Sequence, residues 1–210
     1  MNTSPAIVFQ LTRIVGIAAF CLTVAACGSL VGLPDNSPAS RFMLRPPTVT
    51  TAERQSTVIM ITEPQAPSAL DSERIALRPN DLEIQYYANA RWADRLPRML
   101  QNHLIAALTD HVTDAGTETM PLAADYRVET SLMAFEAVYD GGKTPTIHVT
   151  LDAKLFSRSP LKLVDRRRFH AEVPAGQDKL ASITAAFDQA AATVTAEFAA
   201  WVLSGATPAP

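Results

Sequence analysis

Cysteine is nearly absent. The 210 residues hold two, Cys21 and Cys27, both close to the N-terminus. Two thiols supply neither a disulfide framework nor a four-cysteine zinc site. Histidine is scarce too, with four residues. Among His103, His111, His148 and His170, no two share the two- or four-residue spacing of a metal-binding pair, so no metal is expected. An excess of positive charge is also missing. The formal net charge is −3, which gives a phosphate-binding surface no support, and nucleic acid is not an expected partner. The length is too short for a barrel enzyme. A hydrophobic content of 48% is too high for a wholly disordered chain. With 15 prolines against 8 glycines, the composition describes one ordinary globular domain with Pro-rich connectors.

What is present begins at the N-terminus. Residues 1–26 carry no acidic side chain and a single basic one, Arg13. An apolar run follows from Ile14 to Ala26, about a dozen residues, which suits a signal-peptide core. An uncleaved hydrophobic anchor is the rival reading, but a membrane span needs roughly 20 apolar residues. Val24-Ala25-Ala26-Cys27 reads as a lipobox. Small residues let the signal peptidase approach the backbone, and the cysteine thiol takes the diacylglycerol. Cys21 follows the bulky Phe20 and fits that site poorly. The expected cleavage lies between Ala26 and Cys27, with lipidation at Cys27. The only expected prosthetic groups are the covalent diacylglycerol and an N-acyl chain on Cys27. Two or more acyl chains give stable anchoring. Cleavage removes one arginine, so 17 basic side chains face 21 acidic ones and the mature charge is −4.

Periodicity divides the remainder. Residues 27–40, rich in Gly, Pro, Ser and Asn, read as a flexible tether. Strands are predicted at Arg41–Leu44 and Val58–Ile61, with a polar loop over 48–56 between them. A β-hairpin is predicted over 72–87, turning at Pro79-Asn80-Asp81. A helix follows over 94–110 with Asp94 as N-cap and Pro97 in its first turn. Residues 125–173 read as three antiparallel strands, with Asp140-Gly141-Gly142-Lys143 as one turn. Ile147, Val149, Leu151, Ala153 and Leu155 alternate with polar neighbours, the mark of a strand with one solvated face. A long helix over 177–203 carries a stripe of Leu180, Ile183, Phe187, Ala190, Val194, Phe198 and Trp201. The expected class is α+β, a mostly antiparallel sheet with two main helices packed on one face. The domain spans 41–204, and 205–210 form a tail.

Motifs for catalysis are not found. Lys143-Thr144 follows two glycines, but Ala137 stands where a phosphate loop needs its first glycine, and the context is a hairpin. No G-x-S-x-G elbow occurs, and no free cysteine remains to pair with a histidine. No catalytic residue is assigned, and the chain is not expected to be an enzyme. His148 and His170 fall on strands that could be neighbours, where a solvated face is the simpler reading. Arg166-Arg167-Arg168 is the strongest charge run, a contact for anionic lipid or a partner, or a solvated strand start beside Asp165. Tyr86, Tyr87, Arg91 and Trp92 cluster between the hairpin and the first helix. Aromatics there serve as core packing or as partner-facing anchors.

Taken in order, these segments resemble the ABC-type transport auxiliary lipoprotein family. The resemblance covers about residues 41–203 and is carried by Arg41-Phe42-Met43-Leu44, by Leu82–Ala93 followed by Leu96-Pro97, by Tyr126-Arg127-Val128 with Phe135, and by Asp165–Phe169 before the last helix. The polar connector over 46–57 departs from the pattern. The resemblance implies a non-enzymatic lipoprotein that works with an ABC permease, its ATPase and a periplasmic MCE-domain substrate-binding protein. Such systems move phospholipids or other hydrophobic molecules. It would dock the periplasmic conduit at the outer membrane, and a homo-oligomeric ring is compatible with that role. Gly28, in place of Asp, resembles the outer-membrane sorting signal of enteric bacteria. A stand-alone lipid-binding carrier and a structural envelope-assembly lipoprotein are the alternatives.

Overall fold

The structure is a computed structural model that describes residues 39–49, 54–121 and 123–206. The predicted signal segment, its cleavage site at Ala26 and Cys27, most of the predicted tether and residues 207–210 lie outside the described residues. Eight strands and two helices follow in the order β1 (Ser40–Phe42), β2 (Gln55–Ile61), β3 (Arg74–Asn80), β4 (Glu83–Trp92), α1 (Leu96–Thr109), β5 (Val112–Gly116), β6 (Tyr126–Val138), β7 (Thr146–Arg158), β8 (Leu161–Pro174) and α2 (Leu180–Gly205).

All eight strands join one sheet organised around β6. One edge of β6 pairs along its whole length with β7, and β7 pairs with β8, both antiparallel. The other edge is shared. Its N-terminal end takes β2, with Ile59 opposite Tyr126, and its C-terminal end takes β3, with Ala76 opposite Glu136. Between them Gln65 bridges to Ser131. Both of these pairings are parallel, as are β1 with β4 and β2 with β5. The expectation of a mostly antiparallel sheet is therefore corrected: the sheet is mixed, and four of the seven strand pairings are parallel. Alternation of apolar residues tells which face a strand buries, not which strand lies beside it. Parallel partners come from distant parts of the chain, through crossovers that no local pattern records.

Local patterning does explain the strands themselves. In β7, Ile147, Val149, Leu151, Ala153 and Leu155 are buried and their alternate neighbours are not. In β6, Val128 and Leu132 are buried on even positions, then Phe135 and Ala137 on odd ones. A bulge between Leu132 and Ala134 makes the switch and leaves Met133 51% exposed. The turn after β6 places Gly141 at a φ of 69°, a left-handed conformation that glycine adopts without a steric penalty.

Several boundaries differ from expectation. Strand β2 begins at Gln55, inside the predicted 48–56 loop, because its polar start pairs with β5. Strand β5 itself is unheralded, since Val112 and Ala115 are its only buried residues. The N-cap of α1 is Arg95 rather than Asp94, whose carboxylate instead accepts the Arg95 backbone N–H at 2.7 Å. Pro97 does lie in the first turn.

Both helices belong to one core. Trp92, Phe135 and Phe187 meet with ring centroids 5.1 to 5.5 Å apart, joining β4, β6 and α2. Phe169, Phe198 and Trp201 form a second group. Each fully buried phenylalanine contributes roughly 1.5–3 kcal/mol of apolar burial. Small residues such as Ala186, Ala190, Ala191 and Ala199 are buried on α2, which lets the helix approach its neighbours closely.

Candidate functional site

The predicted partner-facing residues all stand on β4. Its buried residues are Ala90 and Trp92, near its C-terminal end. Trp92 is 1% exposed, edge-on to both Phe135 and Phe187. It is a core residue and presents nothing to a partner. Strand alternation explains this: Ala90 and Trp92 share the inward face, whereas Arg91 points the other way.

The other three are half-buried and engaged within the chain. The Tyr86 hydroxyl donates to the carbonyl of Ala69 at 3.2 Å, and the Arg74 guanidinium lies 3.7 Å from the Tyr86 ring centroid. Arg91 Nη1 donates to the carbonyls of Ala90 and Tyr87, at 3.0 and 3.3 Å. Tyr139 donates to Asp178 Oδ1 at 2.6 Å, so its oxygen is free to accept from the Tyr87 hydroxyl 2.9 Å away. Burial, then this bond, pushes the Tyr87 phenol far above its ordinary range. Burial and the Asp178 bond also raise Tyr139. A phenol held neutral in this way is a structural donor and no general base at ordinary pH.

Sequence reasoning missed the polar groups that fasten the entry of the chain. Strand β1 lies parallel to the end of β4, with Phe42 opposite Trp92. Arg41 pairs with Glu73 at 2.9 Å and reaches the carbonyl of Trp92. Three residues past β1, Arg45 gives its backbone N–H and its Nε–H to the two carboxylate oxygens of Asp188, at 2.7 and 2.6 Å. The Asp188 side chain is 12% exposed and that of Arg45 81%. The one available signal was Asp188 itself, a carboxylate directly after Phe187 of the predicted apolar stripe. His103, which falls at helical spacing among Leu96, Leu100, Leu104 and Leu108 in the sequence, is buried with them on α1. It is 6% exposed, and burial pushes its imidazole down to about 4 against the opposing pull of Asp188.

The remaining candidates lie on the solvent side of the β7–β8 pair. His148 and His170 do come together, with ring centroids 6.2 Å apart, and Glu172 Oε1 stands 3.7 Å from His148 Nδ1 and 3.0 Å from His170 Nε2. Thr150 Oγ1 is 2.9 Å from His170 Nδ1. Among the described residues, no group of three or more His, Cys, Asp and Glu is arranged to hold a metal. Arg168 pairs with Asp152 through two bonds, 2.6 and 2.8 Å. Among the described residues no helix is long and apolar enough to cross a membrane.

A mixed sheet backed by two helices, with its entry segment bonded to the core and its aromatic cluster held in internal bonds, defines an α+β domain. Its family follows from comparison. The family model of the ABC-type transport auxiliary lipoprotein component matches residues 42–199, and the chain belongs to that family. The resemblance seen in the sequence therefore holds. The crystal structure of XCC0632 from Xanthomonas campestris, a DUF330 protein, is 29% identical, with a TM-score of 0.74 over 80% of this chain and 96% of that one. A second solved structure, of an uncharacterised protein, shares the fold at 19% identity and a TM-score of 0.63, covering 79% of this chain and 99% of that one. An uncharacterised Bradyrhizobium diazoefficiens protein is 26% identical over 154 residues, which are 72% of this chain and 41% of that relative's length.

Proposed function

We propose that this chain is the periplasmic auxiliary lipoprotein of an MCE-type ABC transporter for phospholipids or other hydrophobic molecules. In this reading it is anchored through acyl chains on Cys27 in the outer membrane and docks the periplasmic conduit there. The observation that carries the reading is the family match over residues 42–199, which begins 15 positions after the lipobox cysteine. The Arg45–Asp188 bonds support it mechanically. A body pulled through its N-terminal end needs that end bonded to the core, and both bonds sit at the point where such a pull arrives.

Two measurements test it. In the native host, the protein should take up labelled palmitate and fractionate with the outer membrane, and Cys27→Ser should abolish both. Cross-linking in intact envelopes should recover an MCE-domain protein. Palmitate labelling without any such cross-link would remove the MCE assignment while keeping the lipoprotein. A stoichiometric lipid in native mass spectra of a chain that cross-links to nothing would favour a stand-alone carrier.

A further inference from the structure

The edge strand β8 and the β7–β8 turn form an exposed arm of the sheet, while Ala153 and Leu155, their partners on β7, stay buried. From Leu161 to Arg168 every residue of β8 is exposed, whichever face of the sheet it points to, and the first buried position is Phe169. Three of the seven large hydrophobic residues exposed among the described residues lie in this stretch: Leu161 at 73%, Leu163 at 44% and Val164 at 41%. Its charge is equally distinctive. Residues 154–168 hold six basic side chains and one acidic, in a chain whose net charge is −3. The one acid, Asp165, accepts the Trp201 indole N–H at 2.7 Å, which ties it back to α2. Arg168 is satisfied by Asp152, but among the described residues no carboxylate forms an ion pair with Arg158, Lys162, Arg166 or Arg167.

We propose that this arm is a membrane-contacting element that docks on an anionic phospholipid surface. Aliphatic side chains at a protruding tip can enter the headgroup boundary, and basic residues on either side of them meet lipid phosphates. The proposal rests on the anchoring read above, which keeps the domain within reach of a bilayer. Charge alone would serve to guard the free edge of β8 against strand pairing. It gives no reason for three aliphatic residues to face water. A protein interface would gather the apolar residues into a patch rimmed by polar ones, whereas here three aliphatic residues enclose Lys162 and stand between Arg158 on one side and Arg166 and Arg167 on the other.

The test mixes the full chain, with both native cysteines changed to serine so that no acyl anchor contributes, with preformed vesicles. A single environment-sensitive fluorophore is placed through Ser159→Cys at the arm, or through Leu82→Cys as control. Leu82 is 98% exposed but flanked by Asp81 and Glu83, at the turn between β3 and β4. That turn lies beyond the end of β6 opposite to the arm, since Arg78 pairs with Val138 whereas Phe156 pairs with Arg127. In vesicles containing phosphatidylglycerol, shallow brominated lipids should quench the arm label at least threefold more than the control. Arg166→Glu with Arg167→Glu, or Leu161→Ser with Leu163→Ser, should remove the difference. These side chains are exposed, so the far-UV spectrum of each variant should match the parent. Equal quenching at the two positions, or quenching unchanged by the variants, overturns the proposal. So does shielding of the arm label from iodide only on addition of soluble envelope protein, which would make the arm a protein contact. The vesicles hold no transporter, so the outcome does not depend on the function proposed above.

Discussion

Arg45 and Asp188 are 143 positions apart, yet the backbone N–H and the guanidinium of one meet both carboxylate oxygens of the other. Their environments are unequal, because the arginine side chain is 81% exposed and the aspartate 12%. Removing the aspartate lets the arginine return to water at little cost. Removing the arginine leaves a nearly buried carboxylate with one backbone donor. Arg45→Ala should therefore destabilise by about 1–3 kcal/mol. Asp188→Ala should cost no more than that, and the double variant should match Asp188→Ala alone. Urea unfolding of the four proteins closes the cycle, and additive losses would show that the pair is not coupled.

Trp92 carries a different expectation. Its ring touches Phe135 and Phe187 in the core, so Trp92→Ala should cost about 3–5 kcal/mol. Trp92→Phe should cost less and leave cross-linking to envelope partners intact. A folded Trp92→Phe protein that fails to cross-link would return this residue to an interface.

Alkaline titration reads the Tyr87–Tyr139–Asp178 chain. The sequence holds four tyrosines, and both members of the pair are raised. Fewer than four phenols should ionise near pH 10 before the protein unfolds, as followed by absorbance at 295 nm. A phenol that ionises more easily in the unfolded chain lowers stability as pH rises above about 10. Tyr139→Phe should bring the Tyr87 transition down and cost about 1 kcal/mol through the lost bonds.

Acid should act through His103. Its folded value of about 4 lies below the ordinary 6.5, so between these limits the unfolded chain binds more protons. The stability is complete above pH 6.5 and is lost as pH falls toward 4, by roughly 3 kcal/mol in all. His103 Nε2 is buried without a hydrogen-bond partner. His103→Leu should therefore flatten the profile in this window at no cost at pH 7. An unchanged slope would assign the acid sensitivity to other groups.

How much was legible depends on the range of the interaction. The alternation over 147–155 and the stripe over 180–201 are local; the first is the buried face of β7, and the second is buried on α2 except for Leu180, which is partly buried at the helix start. The turn at Gly141 is equally local. The parallel placement of β2 and β3 on one edge of β6 is not, nor is the short β5, whose few apolar residues match no period. For the site, the aromatic cluster was visible in sequence, but its division was not. Alternation could assign Trp92 and Arg91 to opposite faces of a strand; it could not tell that Phe135 and Phe187 would close over one of them.

By itself, then, the sequence determined the family, the identity of the long strands and helices, and which of their faces are apolar. Those properties depend on residue order and on side chains a few positions apart. Only the tertiary structure decided the mixed sheet, the burial of Trp92, the Arg45–Asp188 fastening and the exposure of the β7–β8 arm. Each of these depends on which distant segments meet. That choice is made by packing one shared core, where pairing at long separation is settled by total burial rather than by any local preference.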